Sequence, residues 1–505
     1  MSRIFIAGMS PLPFENDRKV YGTGIRTWQF ILPLLKKGHR ICACNYAIPS
    51  AYPEDFRSKY NKHFTYGYSS LKREEGPDGD RTGREDKGIK NSGYEFEYNV
   101  LKKEDFENTG VLSKIFTEFK PDCLVGCTFY PSYTASKLLE YKKIPFWADL
   151  FGHVMAEAQA RAYMDESDGC LFHYWNSEYN IISRADIFSC VSSRQKYALV
   201  GELGTAGRLN RYTSGYDFAD VIPCGIPEND YRHTGDVIRG KDGVTNEDFV
   251  VLWTGGYNTW TDVDTLFRGL ESAMEKNPKI KFVSTGGEIP EQDTKTYPHF
   301  LSMIDKSPYK DRFIMRGWVP GEDVPNYYLE ADAGINIDRD IYEVKLGSKN
   351  RILDWFRAGL CVLSSNVCEL TDIIEKEKIG YTFKPCDYRG LGEKLIYLAG
   401  NRDEAEKTAI AGRKYAAFNF SFDKTTAGLQ GWAENPVFSP DSGKKRELVS
   451  GREEALKKLQ NITLEQKRMV GERDRRISEL EGIVKKSFIY RIYSYFRIAG
   501  RKIFH

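Results

Sequence analysis

The stretch that most constrains the fold runs from Asn336 to Asn366, NIDRDIYEVKLGSKNRILDWFRAGLCVLSSN. Apolar runs at 333–337 and 360–363 suit buried strands. Between them 351–358 reads as a helix, with Ser348 as its expected N-cap and Gly359 as its C-cap. Strand, polar loop, helix and strand make half of a parallel α/β layer, since parallel neighbours need a crossover and a helix is the usual one. The loop carries the chemistry. Free backbone N–H groups at the helix start, among Lys345, Gly347, Ser348, Lys349, Asn350 and Arg351, are expected to hold a diphosphate. Asp354, further along the helix, is spaced to accept hydrogen bonds from a ribose diol, and Glu343 to reach sugar hydroxyls beyond the phosphates.

The same grammar recurs along the chain. Strand 3–8, helix 25–37 and strand 40–45 form a βαβ opening, but Gly22-Thr23-Gly24 is not the dinucleotide fingerprint GxGxxG. It sits at the helix start, where the glycines either let the backbone approach an anion or sugar or serve a tight turn, and Arg26 points the same way. Helix 111–118, strand 123–127, helix 132–141 and strand 144–150 follow. The last of these ends in Asp149-Leu150-Phe151-Gly152-His153, which brings Asp149 and His153 to the end of the sheet where open α/β folds place their sites. Runs 185–191 and 221–226 complete a first domain.

In the second half, strand 249–253 runs into Gly255-Gly256-Tyr257-Asn258 and strand 280–284 into Gly286-Gly287. Strand 313–318 ends at Trp318-Val319, and helices 387–398 and 403–418 close the domain. Each of these strands delivers its polar end to one crevice.

A chain of 505 residues is too long for a single core. The boundaries expected are a first domain at 1–228, a second at 229–418, a returning helix at 419–434, a charged helix at 446–486 and a tail at 487–505. The segment 71–93 is polar and glycine-rich, and reads as a mobile surface loop or one ordered only by substrate. Lys+Arg 73 against Asp+Glu 71 argues against a general nucleic-acid binder. Ten scattered cysteines, none at structural-zinc spacing, and no signal peptide point to the cytoplasm. No metal-ligand cluster is visible, and no apolar run reaches the ~18 residues of a membrane span. Leu456, Leu459, Val470, Ile477, Leu480 and Val484 follow a rough heptad, so a coiled coil and a homo-oligomer through it are expected. The tail SFIYRIYSYFRIAGRKIFH places Phe488, Ile492, Tyr495, Phe496, Ala499 and Ile503 on one helical stripe, flanked by basic residues. That is the composition of a peripheral anchor on an anionic membrane surface, here the inner face of the plasma membrane.

Taken in order, the motifs resemble the retaining glycosyltransferases of the GT-B fold, in particular the bacterial family 4 group. They are Gly22-Thr23-Gly24, GHR (38–40), ADIFSCVSS, VIPCGIP, the glycines after Trp253, FIMRGWVP, EADAGINI, SKNRILDWFRAGLCVLSS and FSFDKTTAGLQGW. The resemblance spans about 3–432. It implies an α/β protein with two Rossmann-like domains facing a cleft, plus a C-terminal helical extension. The implied function is transfer of a sugar from a nucleotide diphosphate sugar to a glycan or lipid-linked acceptor in bacterial surface polysaccharide synthesis, with no cofactor and no required metal. By the resemblance Asp354 binds the donor ribose and Glu343 the donor sugar, while His153 lies at the reacting carbon. Gly22 to Gly24 close on the donor phosphate and the acceptor, with Arg26 and Asp149 on the acceptor side, and Trp318 and Val319 hold the base. The segment TGGYNTWTDVD lacks the Arg and Lys that the family places on the diphosphate, so Lys345, Lys349 and Arg351 are expected to supply the charge. Two rivals share these features: a UDP-sugar epimerase of the same fold, and a degenerate, non-catalytic scaffold subunit.

Overall fold

The computed structural model describes residues 1–15, 18–66, 94–290 and 292–503, with side chains described as far as 498. The polar segment 71–93 lies outside the described residues.

Eight strands make the first sheet: β1 (Arg3–Ser10), β2 (Arg40–Ala47), β3 (Lys59–Tyr66), β4 (Tyr94–Leu101), β5 (Cys123–Gly126), β6 (Phe146–Asp149), β7 (Ile187–Cys190) and β8 (Ala219–Val221). Their order is β3-β4-β2-β1-β5-β6-β7-β8, parallel except for the antiparallel edge strand β3. That edge is blunted by exposed Lys59 and Lys62. β3 and β4 are absent from the sequence reading, as are the helices Val154–Asp165, Leu171–Arg184 and Ser193–Thr205. The run 221–226, expected as the exit from the first domain, begins at the last residue of β8, which stops two residues before Pro223, a residue with no N–H to give a ladder.

The second sheet holds β9 (Phe249–Thr254), β10 (Ile280–Thr285), β11 (Phe313–Gly317), β12 (Ala333–Asn336), β13 (Cys361–Ser365) and β14 (Tyr381–Phe383), all parallel, in the order β11-β10-β9-β12-β13-β14. β9 and β13 are buried along their whole length, as strands covered by helices on both faces must be. In each sheet the strand order reverses beside the first strand, β1 or β9, and a crevice opens there at the carboxyl ends. The expectation of two Rossmann-like domains facing a cleft is met.

The chain then returns. Helices Phe422–Thr425 and Ala427–Glu434 lie on the first domain, where Trp432 packs edge-on against Trp147 at 5.5 Å and the Ser2 hydroxyl donates to the Ala433 carbonyl at 2.6 Å. The following stretch, between the returning helix and the charged one, is pinned. Asp441 is buried and pairs with buried Arg208 at 2.7 Å, and the Ser439 N–H donates to Asp186. Beyond it Glu447–Lys486 is one helix, roughly 60 Å long by its 40 residues, with no residue buried. Phe488–Ile503 is a second helix. Among the described residues no helix is long and apolar enough to cross a membrane.

Candidate active site

The donor loop folds differently in detail from its expectation. A short helix, Tyr342–Leu346, interrupts it, and the next helix begins at Asn350 with Lys349, not Ser348, at the cap position and no side chain closing its first turn. Ser348 lies instead beside the Cys224 thiol. Gly359 does cap the helix, at φ 74°.

The three loop cations divide. Lys345 reaches Asp340 at 2.9 Å on the outside of the loop. Lys349 is buried and lies 3.3 Å from Asp338 and 4.0 Å from Glu343. Burial opposes its charge, but the two carboxylates outweigh this and hold its pKa above the ordinary value. Arg351 stands over the Trp253 ring at 4.0 Å and donates Nη2 to the Gly256 carbonyl at 3.4 Å, while its buried Nη1 has no partner. Its guanidinium therefore occupies the turn after β9, the place where the sequence lacks an arginine of its own.

Carboxylates face the same region. Glu343 carries a buried oxygen that makes no hydrogen bond, and burial pushes its pKa up to about 7. Asp354 accepts from the Tyr231 hydroxyl at 2.9 Å, and burial raises its pKa.

The glycines are there for close approach. A Cβ on Gly286, whose φ is +117°, would fall 2.1 Å from the Gly255 carbonyl, and one on Gly256 would meet Ile289 and then Trp318. A Cβ on Gly347 would strike the Glu343 carbonyl at 2.7 Å. Trp318 is 45% exposed, with its ring under the Lys19 ammonium of the first domain at 3.3 Å, and Val319 packs into the apolar cluster beneath. Tyr257 and Asn258 correct the expectation. Tyr257 is wholly buried, stacked on Trp253 and hydrogen-bonded to Ser284, and Asn258 is buried with its side chain accepting from the Thr259 N–H. Both build the turn and do not line the cleft.

On the facing domain, Gly22 and Thr23 start the helix Gly22–Lys36, three residues earlier than expected. A Cβ on Gly22 would meet the Asn350 amide at 2.7 Å, so the glycine loop and the donor helix touch across the cleft. Gly24 packs on the Pro11 carbonyl, and the Thr23 carbonyl accepts from Thr27. Arg26 and Asp149, expected to meet an acceptor, are closed to one. They form a forked pair at 3.0 and 2.7 Å with no exposure, and Ser189 and the Thr128 N–H fill the remaining capacity of Asp149. The pair ties β6 to the helix behind it.

His153 is where strand-end logic put it, beside a cavity of about 760 Å³ that also involves Met155, Gln159 and Tyr163 from its own domain and Tyr342 and Leu346 from the other. It caps the helix Val154–Asp165 through Nδ1, which accepts from the Ala156 N–H at 3.2 Å. Its Nε2 lies 3.0 Å from Glu202.

The domains are clamped at the start of the helix Ser193–Thr205. The Ser192 hydroxyl donates to the Leu346 carbonyl at 2.7 Å, and the Ser193 N–H and hydroxyl donate to Glu369. Arg194 donates to the Val367 carbonyl at 2.7 Å and pairs with Asp372. A carboxylate at a helix N-terminus is favourable for the same reason a phosphate is. Sequence reasoning missed these residues and Glu202, because each acts on a partner more than a hundred residues away or through another side chain.

One titratable cluster lies elsewhere. His233, Asp236 and Glu330 converge, but Glu330 accepts the N–H groups of Val237, Ile238 and Arg239 and so fastens the segment between the domains.

Residues 248–401 match the family described as "Glycosyl transferases group 1". A Bacillus subtilis (strain 168) protein, "Putative glycosyltransferase YtcC", is 24% identical over 136 residues, which are 25% of this chain and 32% of that protein. The match thus spans about a third of the relative's length. Three solved structures share the two-domain fold. Sucrose-phosphate synthase from Thermosynechococcus elongatus has a TM-score of 0.60 at 13% identity, over 86% of this chain and 98% of that one. Anabaena HepE in complex with UDP-glucose gives 0.56 at 12%, over 86% and 100%. The E. coli trehalose-6-phosphate protein bound with UDP-2-fluoro glucose gives 0.59 at 10%, again over 86% and 100%.

Proposed function

We propose that the chain is a glycosyltransferase that moves a sugar from a nucleoside diphosphate sugar, with a uridine donor as first candidate, to a glycan or lipid-linked acceptor, and that it does so with retention. The observation that carries this reading is the Arg351 guanidinium, buried at the glycine turn after β9 with its Nη1 lacking any hydrogen-bond partner. A buried cation with an open donor is a site for an anion, since leaving it uncompensated is costly. The solved structures that hold UDP-glucose and UDP-2-fluoro glucose share this fold. Asp354 then takes the ribose, Trp318 the base and Glu343 the sugar hydroxyls.

Retention is supported by His153. A histidine–carboxylate pair activates a hydroxyl only if one ring nitrogen is free, and here Nδ1 and Nε2 are both engaged. In the proposed step the acceptor oxygen bonds to the anomeric carbon as the bond to the diphosphate breaks. The leaving diphosphate oxygen takes the acceptor's proton on the same face, and Arg351 with the uncapped helix start stabilises the developing charge. No metal is required in this reading. A role in bacterial surface polysaccharide synthesis, at the inner face of the plasma membrane, belongs to the same proposal.

Incubation of the full chain with UDP-, GDP- and dTDP-sugars, with and without EDTA, tests it by nucleotide release and by the anomeric configuration of the product. Absence of nucleotide binding in calorimetry would leave only the scaffold reading. A sugar epimerised without an acceptor would make the chain an epimerase.

A further inference from the structure

We propose that Glu202 is a positioning residue of this site: it fixes the His153 imidazole from behind and joins it to the helix that grips the second domain. The proposal rests on the glycosyltransferase reading above. β6 stops at Asp149, and the chain turns through Phe151 at φ 48° and Gly152 at φ 123° before His153 caps the next helix. A non-glycine residue at positive φ persists only where its surroundings hold it.

One helix supplies that hold. From Ser193–Thr205, Gln195 donates Nε2 to the Gly152 carbonyl at 2.5 Å, and Glu202 meets His153 Nε2 at 3.0 Å. Because Nδ1 accepts from the Ala156 N–H, a neutral ring carries its proton on Nε2, pointed at Glu202. Glu178, 4% exposed on the neighbouring helix, feels the charge of Glu202. Burial, and then the charge of Glu202, push the Glu178 pKa up to about 9.

The first turn of the same helix donates to Glu369 and to the Leu346 carbonyl of the second domain. A shift of that domain against the first is thereby transmitted to the residue at the reacting end of the cleft. The role is orientation, not proton transfer.

The full chain and its Glu202→Ala, Glu202→Gln, His153→Ala and His153→Ala/Glu202→Ala variants test this. With a nucleotide sugar that the wild type uses, Glu202→Ala should lower kcat about 10- to 100-fold, with donor KM within about threefold. Glu202→Gln should recover most of the lost rate, because the amide oxygen accepts the same proton. The double variant should be no slower than His153→Ala alone. Independently of activity, long-range ¹H–¹⁵N spectra should show the Nε2–H tautomer of His153 in the wild type and a tautomer mixture in Glu202→Ala. Additive rate losses, a Gln variant as slow as the Ala variant, an Ala variant with wild-type kcat, or an Nδ1–H ring in the wild type would each overturn the proposal. If the wild type uses no nucleotide sugar, the glycosyltransferase reading fails, and the tautomer spectra alone decide the role of Glu202.

Discussion

Arg351 and Lys349 stand two positions apart, yet their surroundings assign them different work. Arg351→Ala removes a guanidinium with an open nitrogen and should forfeit about 2–4 kcal/mol of transition-state stabilisation, read as kcat/KM, with little change in Tm. Lys349→Ala leaves Asp338 buried and without its charge partner, so its first effect should be a lower Tm in calorimetry. Equal activity losses at equal stability would show that both serve the diphosphate directly. Glu178 gives a pH dependence of defined sign. Its folded pKa, about 9, lies above the ordinary 4.5, so as pH rises between those values the unfolded chain releases its proton first and stability falls. Glu178→Gln should therefore raise Tm at roughly pH 8 and change it little near pH 4.5. A uniform shift across that range would mean that the carboxyl does not titrate as its burial dictates.

At the scale of elements, what was legible in the sequence followed from local rules. The helix Glu447–Lys486, the capping Gly359 and the buried strands of the second sheet are written in periodicity and in the residues that end a run. β3 was not legible, because an exposed edge strand carries no apolar pattern, and its partner β4 lies beyond the long polar segment. Tyr257 and Asn258 were misplaced because a glycine turn marks a site without saying which neighbours face it. Asp149 and Arg26 were misplaced because a buried ion pair looks, in sequence, like two polar groups waiting for a ligand. The clamp between domains, formed by partners such as Ser193 and Glu369, has no sequence signature at all. It nevertheless predicts behaviour. Glu369→Ala should loosen closure, lower kcat, raise donor KM and enlarge the radius of gyration in small-angle scattering, while each domain stays folded. An unchanged scattering curve with normal kinetics would show that the clamp is not what holds the cleft.

At the scale of the molecule, we propose that the C-terminal extension sets where the two domains work. The stretch before it is pinned by the buried pair Arg208–Asp441, so the long helix leaves the first domain from a fixed point and carries the tail roughly 60 Å away. On that tail Phe488, Tyr495 and Phe496 are 77%, 76% and 70% exposed, a density of bare aromatic surface that a soluble helix does not keep without a partner. Lys485, Lys486, Arg491 and Arg497 accompany them, and each basic residue near an anionic surface adds about 1 kcal/mol. A membrane and a second copy of the chain both offer such cover, but only the membrane uses the charge. A chain ending at Lys486 keeps the pin and the long helix and loses the tail alone, which makes it a better control than one cut before the pin. The full chain should float with anionic vesicles at low salt and release as salt rises, and the shortened chain should stay at the bottom of the gradient while keeping any oligomeric state the long helix gives it. Flotation of both to the same extent would place the membrane contact elsewhere. Failure of both, with the full chain larger than the shortened one in sedimentation, would make the tail an oligomer contact.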